Sequence, residues 1–259
     1  MISFWTFWTL RRTRRCGDSD EDGEKMSDST DQSADQRDME WARLWMEKSA
    51  DVIAENREYL IELDRQIGDG DHGENMDRGF SAVVRGEGLQ QAQTRQELLK
   101  YVARTLLSTV GGAAGPLYGT AFLRASQELG DIEMTPESVA LALDAATGGV
   151  QTRGKAAAGE KTMVDALLPA VVAAKEAAAT GQGVRASLRS AARAAQQGVE
   201  DTAPMLAMKG RASYLGERSR GHIDPGAAST AMIIVAAADA ADEVYGGAEV
   251  RALYGDADD

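Results

Sequence analysis

The residues with the clearest capacity for chemistry form one short stretch, residues 64–73, which reads DRQIGDGDHG. Its carboxylates, Asp64, Asp69 and Asp71, supply the hard oxygen ligands that Mg²⁺ prefers. The glycines among them leave the backbone free to turn and to approach a ligand closely. The EF-hand pattern fits poorly, because the bidentate Glu expected late in that loop is missing. The spacing therefore indicates a metal-phosphate site, and the alternative is a solvated acidic turn between two helices.

Helices must position this stretch on both sides. Apolar residues recur at helical spacing from residue 39 to 63 and lead the chain to Asp64. Residues 74–85 are predicted to form the next helix, so the acidic loop ends at a helix N-terminus. Free N–H groups and the positive end of the helix dipole favour anions there.

Three further glycine-rich, charged loops follow, at residues 111–116, 153–162 and 209–226. The last is too long for a simple connection, and loops of that length in compact domains are usually functional. Asp224 is predicted to cap a helix over residues 227–244, with Pro225 at its first position.

The pattern as a whole predicts an all-α fold. No segment shows the alternation of a strand, and aromatic residues make up only 5% of the chain. Eight helices joined by short connections predict an antiparallel up-and-down barrel or bundle. In that topology the loops after helices one, three, five and seven lie at the same end. These are the four glycine-rich loops, so we expect one composite site at one end of the bundle.

Composition excludes several classes of protein. The chain has 259 residues, 43% of them hydrophobic, and its formal charge of -13 argues against a general nucleic-acid binder. Only two histidines and one cysteine, Cys16, are present, which weighs against nucleophilic triads and zinc sites and favours a reducing, cytoplasmic location. The apolar start of the chain is too short to span a membrane.

The composition also suggests boundaries. We expect residues 1–38 to be a disordered extension, or sequence upstream of a true translation start at Met26 or Met39. Residues 39–250 form the helical domain in this interpretation, and residues 251–259 form an acidic C-terminal end.

Four motifs, in order, resemble the nucleotide-binding L subunit of dihydroxyacetone kinase over about residues 40–246. They are IGDGDHGENM at 67–76, VGGAAGPLYG at 110–119, RGK at 153–155 with KTM at 161–163, and KGRASYLGERS at 209–219 with DPGA at 224–227. The resemblance implies an eight-helix barrel with ADP or ATP and two Mg²⁺ at one end.

By this resemblance each predicted loop acquires a role. Asp64, Asp69 and Asp71 would be the metal ligands, and Arg211 would act in catalysis as well as in nucleotide binding. Ala114 departs from the family, which usually has Ser at this position, so a hydroxyl contact to phosphate is lost. The remaining residues of the implied nucleotide pocket are His72, Gly73, Glu74, Asn75, Ala113, Gly154, Met163, Asp224, Pro225 and Gly226.

The structural alternatives are plainer. Met163 could be a core side chain, Arg211 could cap a helix end, and Asp64 could be a surface residue at a helix C-terminus.

The resemblance also implies partners. A separate K subunit would hold dihydroxyacetone, and a phosphotransferase M protein would rephosphorylate the bound ADP. Two alternatives stay open: an ATP-dependent kinase subunit for another small acceptor, and a module whose nucleotide state is read by a transcriptional regulator. A homodimer is also open, whereas direct binding to nucleic acid or membrane is not expected.

Overall fold

The computed structural model describes residues 34–130 and 133–254, and in these residues the fold is all-α, as the sequence predicts. A 3₁₀ segment, Arg211–Ser219, lies between the last two helices. The helices are α1 (Ala34–Glu55), α2 (Arg57–Ile67), α3 (His72–Arg85), α4 (Gly88–Gln91), α5 (Arg95–Thr109), α6 (Ala114–Glu128), α7 (Pro136–Gly154), α8 (Val164–Ala179), α9 (Val184–Thr202) and α10 (Pro225–Tyr254).

Eight long helices result when α1 and α2 are taken as one helix interrupted at Asn56. The Asn56 side chain donates a hydrogen bond of 2.8 Å to the Val52 carbonyl, competing with the regular helical ladder at this point. The short helix α4 packs on α5 at the side of the barrel. The predicted number of long helices is therefore confirmed.

The long helices form a closed ring. Each packs on the next in the order α1, α3, α5, α6, α7, α8, α9, α10, and α10 packs back on α1. Two tryptophans of α1 fasten this closure: Trp41 Nε1–H donates to the Ala237 carbonyl at 3.0 Å and Trp45 Nε1–H to the Ile233 carbonyl at 2.9 Å. The alanines in the first part of α10 are buried, and their small side chains allow close approach of the neighbouring helices.

Helix ends follow the local signals in the sequence. Thr135 and Ser138 form a reciprocal capping box at the start of α7, with Pro136 in the first turn. The Asp224 carboxylate accepts a hydrogen bond of 2.7 Å from the Ala227 N–H at the start of α10. The predicted N-cap at Asp224 is thereby confirmed.

The described helices extend beyond both predicted domain boundaries. Helix α1 begins at Ala34, and Asp38 is buried with 3% of its surface exposed, so residues 34–38 belong to the barrel. The polar sequence before Met39 hides this because the buried carboxylate has its partners elsewhere in the chain. Helix α10 continues to Tyr254, past the predicted end at residue 244 and the predicted boundary at 251. Residues 1–33, with Cys16 and Met26, and residues 255–259 lie outside the described residues.

None of the helices in the described ranges is both long enough and apolar enough to cross a membrane.

Candidate functional site

The four glycine-rich loops meet around one cavity of about 450 Å³ at one end of the barrel. His72 contributes from the first loop, Ala113 and Ala114 from the second, and Gly154 and Met163 from the third region. The long fourth loop adds Lys209, Gly210, Asp224 and Gly226. In an up-and-down bundle the loops after every second helix lie at the same end, which predicted that these four loops are close together. The structure confirms this prediction.

A cluster of carboxylates lies at the first loop. Oxygens of Asp64, Asp69 and Asp71 all lie within 4.8 Å of one another, with Asp64 half-buried and the other two exposed. Arg211 Nη2 lies 3.0 Å from Asp69 Oδ2, which brings the fourth loop over the cluster. Gathered carboxylates repel one another unless a cation offsets their charge. Their hard oxygens suit Mg²⁺, so the residues present fit that ion.

Asp64 also shapes the loop itself. Its Oδ2 accepts hydrogen bonds from the backbone N–H of Asp71 at 2.9 Å and of His72 at 3.2 Å. Gly70 turns the chain between these residues at φ +76°, a conformation that favours glycine. The carboxylate therefore already occupies the N-terminus of α3, and those two N–H groups are not available to a phosphate.

Three residues of the predicted nucleotide set lie away from the cavity wall: Gly73, Glu74 and Asn75. A Cβ on Gly73 would lie 2.2 Å from the Arg57 carbonyl oxygen, so this residue packs closely on α2. Glu74 forms an ion pair with Arg57 at 2.7 Å, and the Asn75 side chain accepts a hydrogen bond from Arg78. The helical rotation of α3 turns this part of its first turn toward its neighbours. Their predicted role in binding the nucleotide stays a prediction.

The other predicted residues lie at or beside the cavity. His72, Ala113, Ala114, Gly154, Met163, Asp224 and Gly226 line it. Pro225 begins α10 between two of these lining residues. Arg211 lies outside the lining and faces Asp69, with 71% of its side chain exposed.

Lys161 is a site residue that the pattern did not single out. Only 1% of it is exposed, and its Nζ donates to the carbonyls of Thr202 at 2.7 Å, Ala203 at 3.3 Å and His222. Lys161 belongs to the third loop, and these hydrogen bonds connect that loop to the C-terminal end of α9 and to the fourth loop. Burial lowers the pKa of this ammonium group, while the nearby Asp224 raises it in part.

Asp165 was also missed. It is buried, and its two carboxylate oxygens accept from the N–H of Gly159 at 2.6 Å and of Thr162 at 2.9 Å. Those bonds fold the third loop back over the start of α8. A polar residue near a helix start was the only signal in the sequence for this role.

Two further groups have shifted pKa values. Burial raises the pKa of Asp224 to about 7, although the Ala227 N–H and Lys161 both lower it. Burial lowers the pKa of His72, and the carboxylates of Asp64 and Asp71 offset that shift in part. The His72 ring is thus held toward its neutral form, and its Nε2 lies 2.8 Å from Ser229 Oγ.

The comparison with known families decides where this arrangement belongs. Residues 66–239 match the DAK2 domain model. The chain belongs to the DAK2 domain family. The resemblance drawn from the four motifs is therefore confirmed.

Relatives within the DAK2 family cover most of the chain. The ADP-binding subunit DhaL of the PEP-dependent dihydroxyacetone kinase of Escherichia coli (strain K12) is 42% identical over 200 residues, which is 77% of this chain and 95% of that subunit. The ADP-binding subunit DhaL of the PTS-dependent kinase of Lactococcus lactis subsp. lactis (strain IL1403) is 44% identical over 189 residues, 73% of this chain and 91% of that subunit.

The DAK2 fold is also found in a solved structure. The dihydroxyacetone kinase from C. freundii in complex with AMP-PNP and Mg²⁺ superposes with a TM-score of 0.57 at 24% identity, over 88% of this chain. This chain spans 38% of that kinase chain. The similarity supports the all-α barrel fold.

Proposed function

We propose that this protein is the ADP-binding subunit of a PEP-dependent dihydroxyacetone kinase and carries a magnesium-bound nucleotide in the cavity at the end of the barrel. The observation that carries the proposal is the cluster of Asp64, Asp69 and Asp71 with Arg211 above it. It lies beside the composite cavity in a chain more than 40% identical to the ADP-binding subunits of a PEP-dependent and a PTS-dependent dihydroxyacetone kinase.

The three aspartates hold Mg²⁺, two ions by the resemblance, through their carboxylate oxygens. Bound Mg²⁺ would neutralise phosphate charge and orient the oxygens of the nucleotide. Asp64 takes a double role, because one of its oxygens also binds the backbone of the first loop. A cation bound at this cluster would offset the charge of Asp69 and so leave Arg211 free to contact the phosphates.

Among the described helix N-termini at the cavity, α6 is the one best suited to the phosphates. The N–H groups at the start of α3 bind Asp64, and at the start of α10 the Ala227 N–H binds Asp224. Within the described residues, no side chain caps the start of α6, whose N-cap residue is Ala113. The N–H groups of its first turn lie at the positive end of the helix, and we expect them to bind the phosphate oxygens.

The apolar residues of the cavity wall receive the nucleoside. They include Leu117 and Val150, together with Gly154 and Met163. Apolar walls with few polar groups are typical of nucleobase and small-ligand sites. Met163 is 5% exposed, so it also belongs to the core from which the wall is built.

Phosphoryl transfer then depends on position and charge more than on a covalent nucleophile. Arg211, freed from Asp69, neutralises the charge that develops on the transferring group. The acceptor, dihydroxyacetone, is held by a separate K subunit that docks over this end of the barrel. A phosphotransferase M protein restores the bound ADP to ATP, and all three proteins act in the cytoplasm.

Mass analysis of the nucleotide released from purified protein tests the first part of the proposal. We expect ADP together with Mg²⁺, and protein that retains neither after purification in magnesium would contradict it. Activity with a K subunit should then return with phosphorylated M protein rather than with free ATP. Recovery with ATP alone would favour the ATP-dependent alternative, and recovery only with another acceptor would reassign the substrate.

A further inference from the structure

A buried tyrosine forms part of the wall of the cavity and reaches across the interior of the barrel. Tyr118 belongs to α6, and 3% of it is exposed. Its hydroxyl lies 2.7 Å from Ser229 Oγ and 2.9 Å from Thr230 Oγ1, and it donates to the Gly226 carbonyl at 3.1 Å. These three partners belong to the first turns of α10, which faces α6 from the other side of the ring.

The same hydrogen-bonded chain continues to the acidic loop. Ser229 Oγ, fully buried, lies 2.8 Å from Nε2 of His72, the residue that follows the carboxylate Asp71. Ser229 also lies near two carbonyl oxygens, those of Pro225 at 3.1 Å and Gly226 at 3.2 Å. The Ser229 hydroxyl has only one proton to donate. The Tyr118 hydroxyl therefore helps to determine whether Ser229 donates a hydrogen bond to Nε2 of His72 or accepts one from it.

We propose that Tyr118 is a positioning residue, whose hydroxyl fixes the His72 ring through Ser229 and holds the N-termini of α6 and α10 in register across the cavity. The inference rests on the proposed function, because the α6 N-terminus is the phosphate site and His72 adjoins the metal loop. Tyr118 also lines the cavity, and it is connected to the His72 ring through Ser229. Removing the hydroxyl leaves the aspartates in place but loosens their alignment with the phosphate donors.

The first test measures the hydrogen-bonded connection between Tyr118 and His72, without nucleotide or metal. The chain has two histidines, so a spectrum of the imidazole ¹⁵N nuclei contains two rings, and His222→Gln assigns them. We expect Tyr118→Phe to shift the His72 nitrogens. Tyr101→Phe is the matched control, since it also deletes one hydroxyl, which donates to the Val83 carbonyl at 3.0 Å in another part of the barrel. Unchanged His72 nitrogens in Tyr118→Phe would overturn the proposal.

The second test measures the consequence by calorimetric titration of ADP at varied Mg²⁺ concentration. Tyr118→Phe should weaken magnesium-dependent ADP binding about tenfold, in the range seen when partners behind metal ligands are removed. Tyr101→Phe should bind as the wild type does even if it melts earlier. Equal ADP binding by the Tyr118→Phe variant and wild type would contradict the positioning role.

Two further variants distinguish a specific effect of Tyr118→Phe on His72 from a general loss of the fold. Ser229→Ala interrupts the chain between Tyr118 and His72 and should shift the same ring nitrogens, whereas Thr230→Val removes a bond of Tyr118 that does not lead to His72. If wild-type protein binds no ADP, the proposed function fails, while the ring spectra still decide whether Tyr118 fixes His72.

Discussion

Asp38 and Arg95 form an ion pair of 2.7 Å inside the barrel, and each side chain is only 4% exposed. The same carboxylate accepts a hydrogen bond of 2.9 Å from the Met134 N–H and another of 2.8 Å from the Tyr245 hydroxyl. Asp38 thus connects α1, α5, α10 and the residues that lead into α7. Burial and this carboxylate both raise the pKa of Tyr245, which stays protonated.

Loss of the Asp38 charge should destabilise the whole barrel. Asp38→Asn removes a buried negative charge that pairs with the guanidinium of Arg95, and we expect the free energy of unfolding to fall by about 3 kcal/mol. Urea denaturation followed by circular dichroism measures this. Asp144→Asn is the control, because Asp144 pairs with Lys175 at 2.9 Å with both side chains 51% exposed, and its loss should cost below about 1 kcal/mol. Equal effects would mean that burial does not matter here.

Substitution of the first-loop aspartates should affect ADP retention in all three cases and stability only at Asp64. Asp69→Ala and Asp71→Ala should abolish ADP retention after desalting with little change in Tm, and chelation by EDTA should do the same to the wild type. Asp64→Ala should also lose ADP and, in addition, lower the stability by about 2 kcal/mol, since its oxygen binds two backbone N–H groups. Full ADP occupancy in the Asp69 and Asp71 variants would refute the metal assignment.

Arg211 should matter for the rate of transfer. Arg211→Ala should lower kcat about 100-fold in the assay with a K subunit, while ADP affinity and Tm change little, because the charge acts on the transferring group. Arg218→Ala is the control, since Arg218 is an exposed cation of the same segment. A parallel loss of Tm and kcat in Arg211→Ala would instead assign this residue to the structure of the loop.

Asp224 should give the nucleotide-free protein a pH-dependent stability. Its pKa of about 7 in the folded state lies above the ordinary value of 3.8, so between these values the folded state binds more protons than the unfolded state. Stability from this group is therefore greatest at acid pH and falls as the pH rises through 7. Asp224→Asn removes the titration while an amide oxygen can still cap α10. The difference in Tm between this variant and wild type should grow from pH 5 to pH 8, and a constant difference would contradict the shift.

Ala114 offers a gain of function. Ala114→Ser places a hydroxyl at the start of α6, and one added hydrogen bond to phosphate would strengthen ADP binding by about 1 kcal/mol. Ala156→Ser adds a hydroxyl to the wall of the same cavity, in the third loop, and serves as the control. Titration calorimetry compares the two, and equal affinities would mean that the phosphates do not bind at α6.

Much of this architecture could be predicted because its signals are local. Helical periodicity, the caps at Thr135 and Asp224 and the glycine breaks together give the number of helices. The order of the helices then brings the four loops to one end. The clustering of the Asp64, Asp69 and Asp71 carboxylates could be predicted because the three residues belong to one short glycine-rich loop.

The missed features depend on distant contacts. The residues next to Asp38 in the sequence do not indicate that it pairs with Arg95. The residues next to Lys161 do not indicate the three carbonyls to which it donates. Glu74 belongs to the right motif, but the rotation of α3 turns it toward Arg57. A motif gives the residue types at a site, whereas the packing of neighbouring helices decides which side chains face it.

The closure of the ring by α10 has a consequence for synthesis. Trp41 and Trp45 donate to carbonyls 196 and 188 residues further along the chain, so the first helix has no permanent neighbour on one side until the last helix has left the ribosome. Such long-range closure tends to come late in folding. The same last helix carries the cap Asp224 and the partner of His72. The cavity at this end of the barrel is therefore complete only after α10 has been synthesised and has packed on α1.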